Sequence, residues 1–128
     1  CTNISNMFLR CYKVKGISLI NTGAVTTAPN FAEDCYALES LSMSNCSALI
    51  SYSLFMKNCF SLTSLLLIGL TYSFEISNGN LDGPSLNALY TSIGSATGGL
   101  QFITITGNKG VSSDDPSIAT AKGWTISG

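Results

Sequence analysis

The sequence predicts an α/β solenoid with short parallel strands, an irregular convex side and two short helices in its C-terminal half. Three observations predict it. First, the phrases MFLRCYKVKGISL (Met7 to Leu19), FAEDCYALESLSM (Phe31 to Met43) and FMKNCFSLTSLLL (Phe55 to Leu67) align without gaps at a spacing of 24 residues. Second, each phrase ends on apolar residues two apart, the strand period that puts both side chains on one face. Third, charges recur with opposite sign one period apart: Arg10 before Asp34, Lys15 before Glu39, and Glu33 before Lys57. Stacked turns would bring each pair together as neighbours.

The columns define each element of the first half. Cys11, Cys35 and Cys59 share one, and Tyr12, Tyr36 and Phe60 the next. Val14, Leu38 and Leu62 follow, then Ile17, Leu41 and Leu65, then Leu19, Met43 and Leu67. Met7, Phe31 and Phe55 stand four residues before each Cys, with Ile4, Ala28 and Tyr52 earlier still. The consensus is F-x3-C-[YF]-x-[VL]-x2-[IL]-x-[LM]. Its last part is a strand, and one turn of coil returns the chain to the start of the next strand. Such turns stack as a parallel sheet with about 4.8 Å between strands. No turn buries its apolar row alone, so neighbours must stack. The period falls in the span of roughly 20–29 residues found for leucine-rich repeats. Residues 1–70 therefore read as three 24-residue leucine-rich repeats.

Residues 71–128 read as longer repeats that cap the stack, so that 1–128 is one domain. Leu100-x-x-Ile103-x-Ile105-x-x-Asn108 fits the L-x-x-L-x-L-x-x-N template. Phe74-x-Ile76 and Trp124-x-Ile126 are shorter strand candidates. In DGPSLNALYTSIG, Pro84 suits a first helical position and Gly94 a stop. Leu86, Leu89, Tyr90 and Ile93 make an i, i+3, i+4, i+7 stripe between them. In SDDPSIATAKG, Asp115 can cap a short helix that Pro116 starts and Gly123 ends. Only seven residues lead from Leu67 to Phe74, too few for a full turn, so an irregular junction or tight reversal is expected there.

Composition narrows the function. Charged residues are 10% of the chain, against about 25% in typical domains. Ser, Thr, Asn and Gly take their place, which predicts a neutral, hydroxyl-rich surface. A net charge of −1 gives no electrostatic footprint for nucleic acid or an anionic membrane. No apolar run approaches the roughly 20 residues that span a bilayer, so no membrane insertion is expected. Cys1 falls mid-phrase in the repeat register. This predicts that the sequence is the C-terminal part of a longer chain, rather than one that starts at a lipidated cysteine.

The sequence contains no His, which removes Ser-His-Asp and Cys-His catalysis and imidazole metal ligands. No enzyme, no cofactor and no metal site is expected. Strand spacing of about 4.8 Å exceeds the Cβ separation of about 3.8 Å across a disulfide, and there is no CxxC. The cysteines therefore read as small buried hydrophobes, and their odd number, five, excludes a complete internal disulfide framework. Asp114 and Asp115 before Pro116 read as a helix cap, since calcium wants roughly six to eight oxygens.

Two surfaces are binding candidates. The outward strand positions Ser18, Ser42 and Leu66, with Ile20, Ser44 and Ile68 beyond them, form one face. Later strands are expected to extend it with Glu75, Thr104 and Thr125. Small hydroxyls there suit hydrogen bonds to glycan or peptide, and Ile20, Leu66 and Ile68 make an apolar patch. The alternative is a plain solvated sheet or one covered by a neighbouring subunit. Tyr12, Tyr36 and Phe60 form an aromatic strip, either a structural ladder at a turn edge or a stacking surface for sugar rings or a protein.

The columns of residues 1 to about 70 resemble the BspA-like leucine-rich repeats of bacterial surface proteins. Those also repeat an aromatic residue, then Cys, then L-x-x-I-x-I. The segment from Phe74 to Gly128, through LNALYTSIGSATGG, ITITGNKG and DDPSIATAKGWTISG, resembles a recurrent C-terminal segment of phage fibre and virion proteins. The resemblance implies a virion location, at the exposed surface or tail, and a job in host adhesion. Its partner would be a host-surface glycan or protein, in a fibre that can be a homotrimer. Other implied roles are a structural or decoration domain that contacts other virion subunits, and an adhesin on a bacterial cell surface. The apolar row of the first turn is expected to be covered by preceding repeats, a trimer contact or another virion protein.

Overall fold

The computed structural model describes residues 1–50 and 56–128. Tyr52 and Phe55, which complete two of the predicted columns, lie outside the described residues.

The first half is built from strands β1 (Gly16–Leu19), β2 (Ser40–Met43) and β3 (Ser64–Leu67). They pair in parallel, with Gly16 opposite Ser40 and Ser40 opposite Ser64. Residues 24 apart thus lie side by side. Ile17, Leu41 and Leu65 form one inward row, and Leu19, Met43 and Leu67 the next. Cys35, Leu38, Leu41, Met43, Cys59, Leu62, Leu65 and Leu67 are all buried. Among the described residues the other leg of each turn carries no named strand, only the isolated parallel bridge of Asn3 with Thr27, yet it stacks at the same spacing. There Phe8 N–H donates to Phe31 O at 2.8 Å, Arg10 N–H to Glu33 O at 2.9 Å and Asp34 N–H to Lys57 O at 2.9 Å.

The second half holds β4 (Phe74–Glu75), α1 (Gly83–Ser92), β5 (Gln101–Thr104), α2 (Ser117–Thr120) and β6 (Trp124–Ser127). Strands β4, β5 and β6 form their own parallel sheet, with Phe74 opposite Ile103 and Ile103 opposite Ile126. The predicted α/β solenoid, in which one leucine-rich-repeat sheet runs the length of the chain, is therefore corrected. The described residues form two separate three-stranded parallel sheets and two α-helices.

The short link supplies the reason, with only six residues between Leu67 and Phe74. They are too few to bring the chain back beside β3, so it arrives beside the other leg of the preceding turn. Met56 N–H donates to Glu75 O at 3.3 Å, Asn58 N–H to Ser77 O at 3.0 Å, and Asn80 N–H to Leu62 O at 3.0 Å. The edge of β3 is taken by α1 instead. Ser92 Oγ accepts from Leu67 N–H at 3.1 Å. Ser92 O accepts from Gly69 N–H at 3.1 Å, and Leu70 O from Gly94 N–H at 2.8 Å. Sheet and non-sheet legs have exchanged places across the junction.

Local chemistry fixes α1. Asp82 is its N-cap, with the carboxylate accepting from Ser85 N–H at 2.9 Å, and Pro84 lies in the first turn. Leu86, Leu89, Tyr90 and Ile93 are buried, as an amphipathic stripe requires. At its C-terminal end Lys122 Nζ donates to Tyr90 O and Thr91 O at 2.9 Å and to Ile93 O at 2.7 Å. A cation there satisfies carbonyls that have no helical partner. Trp124 Nε1 donates to Gly94 O at 2.9 Å, and its ring meets Phe74 edge-on at 6.0 Å. The phrase AKGW thus clamps the end of α1 to the second sheet. Asp115 Oδ1 accepts from Ser117 N–H at 3.1 Å, but the N-cap of α2 is Pro116 and its C-cap Ala121, so the expected Asp115 cap, Pro116 start and Gly123 stop are corrected.

Among the described residues no buried side-chain nitrogen or oxygen lacks a hydrogen-bond partner. Asn108 donates to Ile76 O at 2.8 Å and Ile105 O at 2.9 Å, and accepts from Leu81 N–H at 3.1 Å. Gln101 accepts from Ser73 N–H at 2.8 Å and donates to Thr97 O at 2.8 Å. Apolar side chains of both halves, from Ile17 to Trp124, belong to one core.

Candidate functional site

The outward face of the first sheet is the better-built of the two candidate surfaces. Its rows are set by the strand register: Gly16, Ser40 and Ser64, then Ser18, Ser42 and Leu66. A Cβ on Gly16 would sit 3.4 Å from Ser40 Oγ, so these small residues do share a row. Ser18, Ser40 and Ser64 are exposed, while Ser42 and Leu66 are half-buried. Ile20 and Ile68 are 76% and 45% exposed at the far edge. Ser44 is committed to the fold, because its Oγ accepts from Asn21 N–H at 3.1 Å and its carbonyl accepts from the Thr22 hydroxyl. No outward strand position of this sheet is charged. The nearest ion pair, Lys15 to Glu39 at 3.8 Å, lies at its border.

Glu75 and Thr104 do not extend this face. They sit opposite each other on the second sheet, half-buried, with Thr125 on the next strand. The outward side of that sheet also carries Phe102, 43% exposed, close to Leu100, 77% exposed. Reading the sequence as one sheet hid this split.

The aromatic strip exists as a stack. Tyr12 and Tyr36 have ring centroids 5.2 Å apart at 20°, and Tyr36 and Phe60 are 5.5 Å apart at 22°. All three rings are exposed. Each ring of such a stack turns a face toward its neighbour, which stabilises the corner by roughly 0.5–1.5 kcal/mol per pair. Partial desolvation in the stack, then the Asp34 carboxylate and Tyr12, push the Tyr36 phenol up from its ordinary value. Tyr36 is therefore neutral at physiological pH.

Beside the strip runs a polar ladder, of which the sequence predicts only the Arg10–Asp34 pair. Arg10 Nε lies 3.6 Å from Asp34. Asn58 Nδ2 donates to Asp34 Oδ1 at 2.9 Å, and Asn78 Nδ2 to Asn58 Oδ1 at 2.9 Å. All four residues have left-handed backbone, with φ of 56°, 58°, 62° and 59°. Asn, Asp and Gly tolerate that region best, so Asp34 and Asn58 just before Cys35 and Cys59 were the available signal. Asn78 stands 20 residues after Asn58 instead of 24, which also signals the exchange of legs. The predicted pair Glu33 and Lys57 does not form an ion pair.

The cysteines are free thiols, and only Cys35, Cys46 and Cys59 are the buried groups expected, since Cys11 is half-buried and Cys1 exposed on the first turn. Cys35 Sγ donates to Phe8 O at 2.8 Å and Cys59 Sγ to Ala32 O at 3.0 Å, each bonding the turn before it. Burial pushes the Cys59 thiol up to about 12 and raises Cys35 and Cys46 as well. Among the described residues no cluster of three or more His, Cys, Asp or Glu could hold a metal ion, and no helix is long and apolar enough to cross a membrane.

Comparison with protein-family models, with curated proteins and with solved structures finds no match for this chain.

Proposed function

We propose that this chain is a non-enzymatic binding module of a virion or cell surface, acting as the host-adhesion domain of a phage fibre. The observation that carries the reading is the uncharged outward face of β1, β2 and β3. It is a hydroxyl ridge of Ser18, Ser40, Ser42 and Ser64 bordered by the exposed Ile20 and Ile68. Such a surface makes hydrogen bonds and apolar contacts without demanding a charged ligand, which suits a host glycan or an uncharged protein surface. The resemblance of the C-terminal phrases to virion proteins supports the location, and that of the first columns to BspA-like repeats supports surface exposure. A bacterial surface adhesin is the same chemistry in another setting.

A second reading, a structural domain that packs on other virion subunits, is favoured by Leu100 and Phe102. Both are exposed apolar groups, Phe102 on the other sheet and Leu100 just before its strand β5. The two readings place the contact on different surfaces. The test is attachment of the chain to a panel of bacterial cells and to a glycan array, with Ser42→Arg and Phe102→Ser as variants. Adhesion through the first sheet predicts that Ser42→Arg loses attachment with unchanged stability, while Phe102→Ser retains it. Attachment unaffected by Ser42→Arg overturns the first reading.

A further inference from the structure

We propose that the groove between β3 and α1 is a binding site for the ring of a neutral sugar. The proposal deepens the adhesion reading and rests on it. Because α1 takes the edge of β3, the outward sheet face ends in a helical wall there. Sheet and wall enclose a groove of about 250 Å³. That is below the roughly 300 Å³ where pockets for drug-sized ligands begin, so it suits one ring and not an extended chain.

The lining has the two parts that a sugar needs. Leu66, Pro84 and Ala88 supply an apolar surface for the C–H face of a pyranose. Ser64, Ser85 and Asp82 supply groups for its hydroxyls. Asp82 is oriented by the fold, since its Oδ1 accepts from Ser85 N–H at 2.9 Å. An ionised carboxylate is acceptor-only, so its remaining lone pairs can take only donors, and a sugar hydroxyl is one. The hydrogen bonds from Ser85 also hold this carboxyl below its ordinary pKa, which keeps it an acceptor at neutral pH. No Lys or Arg lines the groove, and the carboxylate repels an anion, so sialic acid and phosphorylated sugars are disfavoured. One carboxylate among hydroxyls also falls far short of the roughly six to eight oxygens of a calcium site.

The test uses the whole 128-residue chain, labelled with ¹⁵N and titrated with galactose, glucose and N-acetylglucosamine, with N-acetylneuraminic acid as the charged comparison. At least one neutral sugar is expected to shift the amides of Ser64 to Leu66 and Asp82 to Ala88, and N-acetylneuraminic acid is expected not to. Ala88→Phe, which fills the groove from an exposed helix position, should weaken binding by about tenfold or more. Asp82→Asn, which keeps a competent helix cap, should also weaken it by about tenfold. The proposal is overturned if no neutral sugar shifts these amides, if N-acetylneuraminic acid shifts them as strongly, or if Ala88→Phe binds as well as the parent. Loss of cell attachment in Ser42→Arg, with no sugar response in the groove, sinks the groove and spares the adhesion reading. A groove response with attachment untouched by Ser42→Arg does the reverse.

Discussion

Asn58 shows how single residues hold this chain. It combines a left-handed backbone, φ 62°, with two side-chain hydrogen bonds at 2.9 Å. Asn58→Gly removes the bonds and keeps the conformation at no steric cost. Asn58→Ala removes the bonds and adds the strain of an L side chain in that region, about 1–2 kcal/mol. Urea unfolding should therefore rank the Ala variant below the Gly variant by about that amount. The buried thiols make a second residue-scale prediction. Folding raises Cys59 from 9.0 to about 12, through burial first and the neighbouring Cys35 thiol second. The folded state keeps a proton that the unfolded chain gives up. The contribution is thus intact below pH 9 and is lost as pH rises from 9 to about 12. Stability should fall across that window, and more gently in Cys59→Ala. At this scale the sequence was only partly legible. The Cys column reads directly, whereas the left-handed column mixes Arg10, Asp34, Asn58 and Asn78, and chemical similarity does not reveal that they share a φ.

At the scale of elements, hydrophobic spacing predicted well wherever a side chain had neighbours on both sides. Leu41 is 1% exposed between Ile17 and Leu65, while Ser42 beside it faces out. Leu41→Ala should cost about 2–5 kcal/mol and Ser42→Ala almost nothing in denaturant titrations. The reverse ranking would invert the inward and outward assignment. Met7 shows where the pattern fails. It shares a column with the fully buried Phe31, yet it is 46% exposed on a turn with one neighbour, where Phe8 packs edge-on against Phe31 at 5.4 Å. Helix α1 was readable because cap, proline and apolar stripe agree. The groove was not, because Ser64, Leu66, Asp82 and Ala88 come together only through the contact of α1 with β3, and no spacing in the sequence encodes that contact.

At the scale of the whole molecule, the six-residue junction between Leu67 and Phe74 decides the shape of any binding surface. It places the sheet of the second half against residues 56–58 and leaves β3 to α1. The candidate face is consequently shorter than a continuous sheet would give, and it ends at a wall. Glu75 and Thr104, which spacing alone assigned to it, lie on the other sheet. The sequence carried a warning in the short interval from Leu67 to Phe74, but length alone does not say which neighbour the chain will meet. Loss of attachment in Ser42→Arg, with its unfolding transition unchanged, is the functional prediction at this scale.

The exchange of legs is tested most directly by backbone nuclear Overhauser contacts in the labelled chain. The account predicts contacts from Met56 to Glu75 and from Asn58 to Ser77, and none between β3 and β4. Strand-to-strand contacts joining Leu65–Leu67 to Phe74–Glu75 would contradict it.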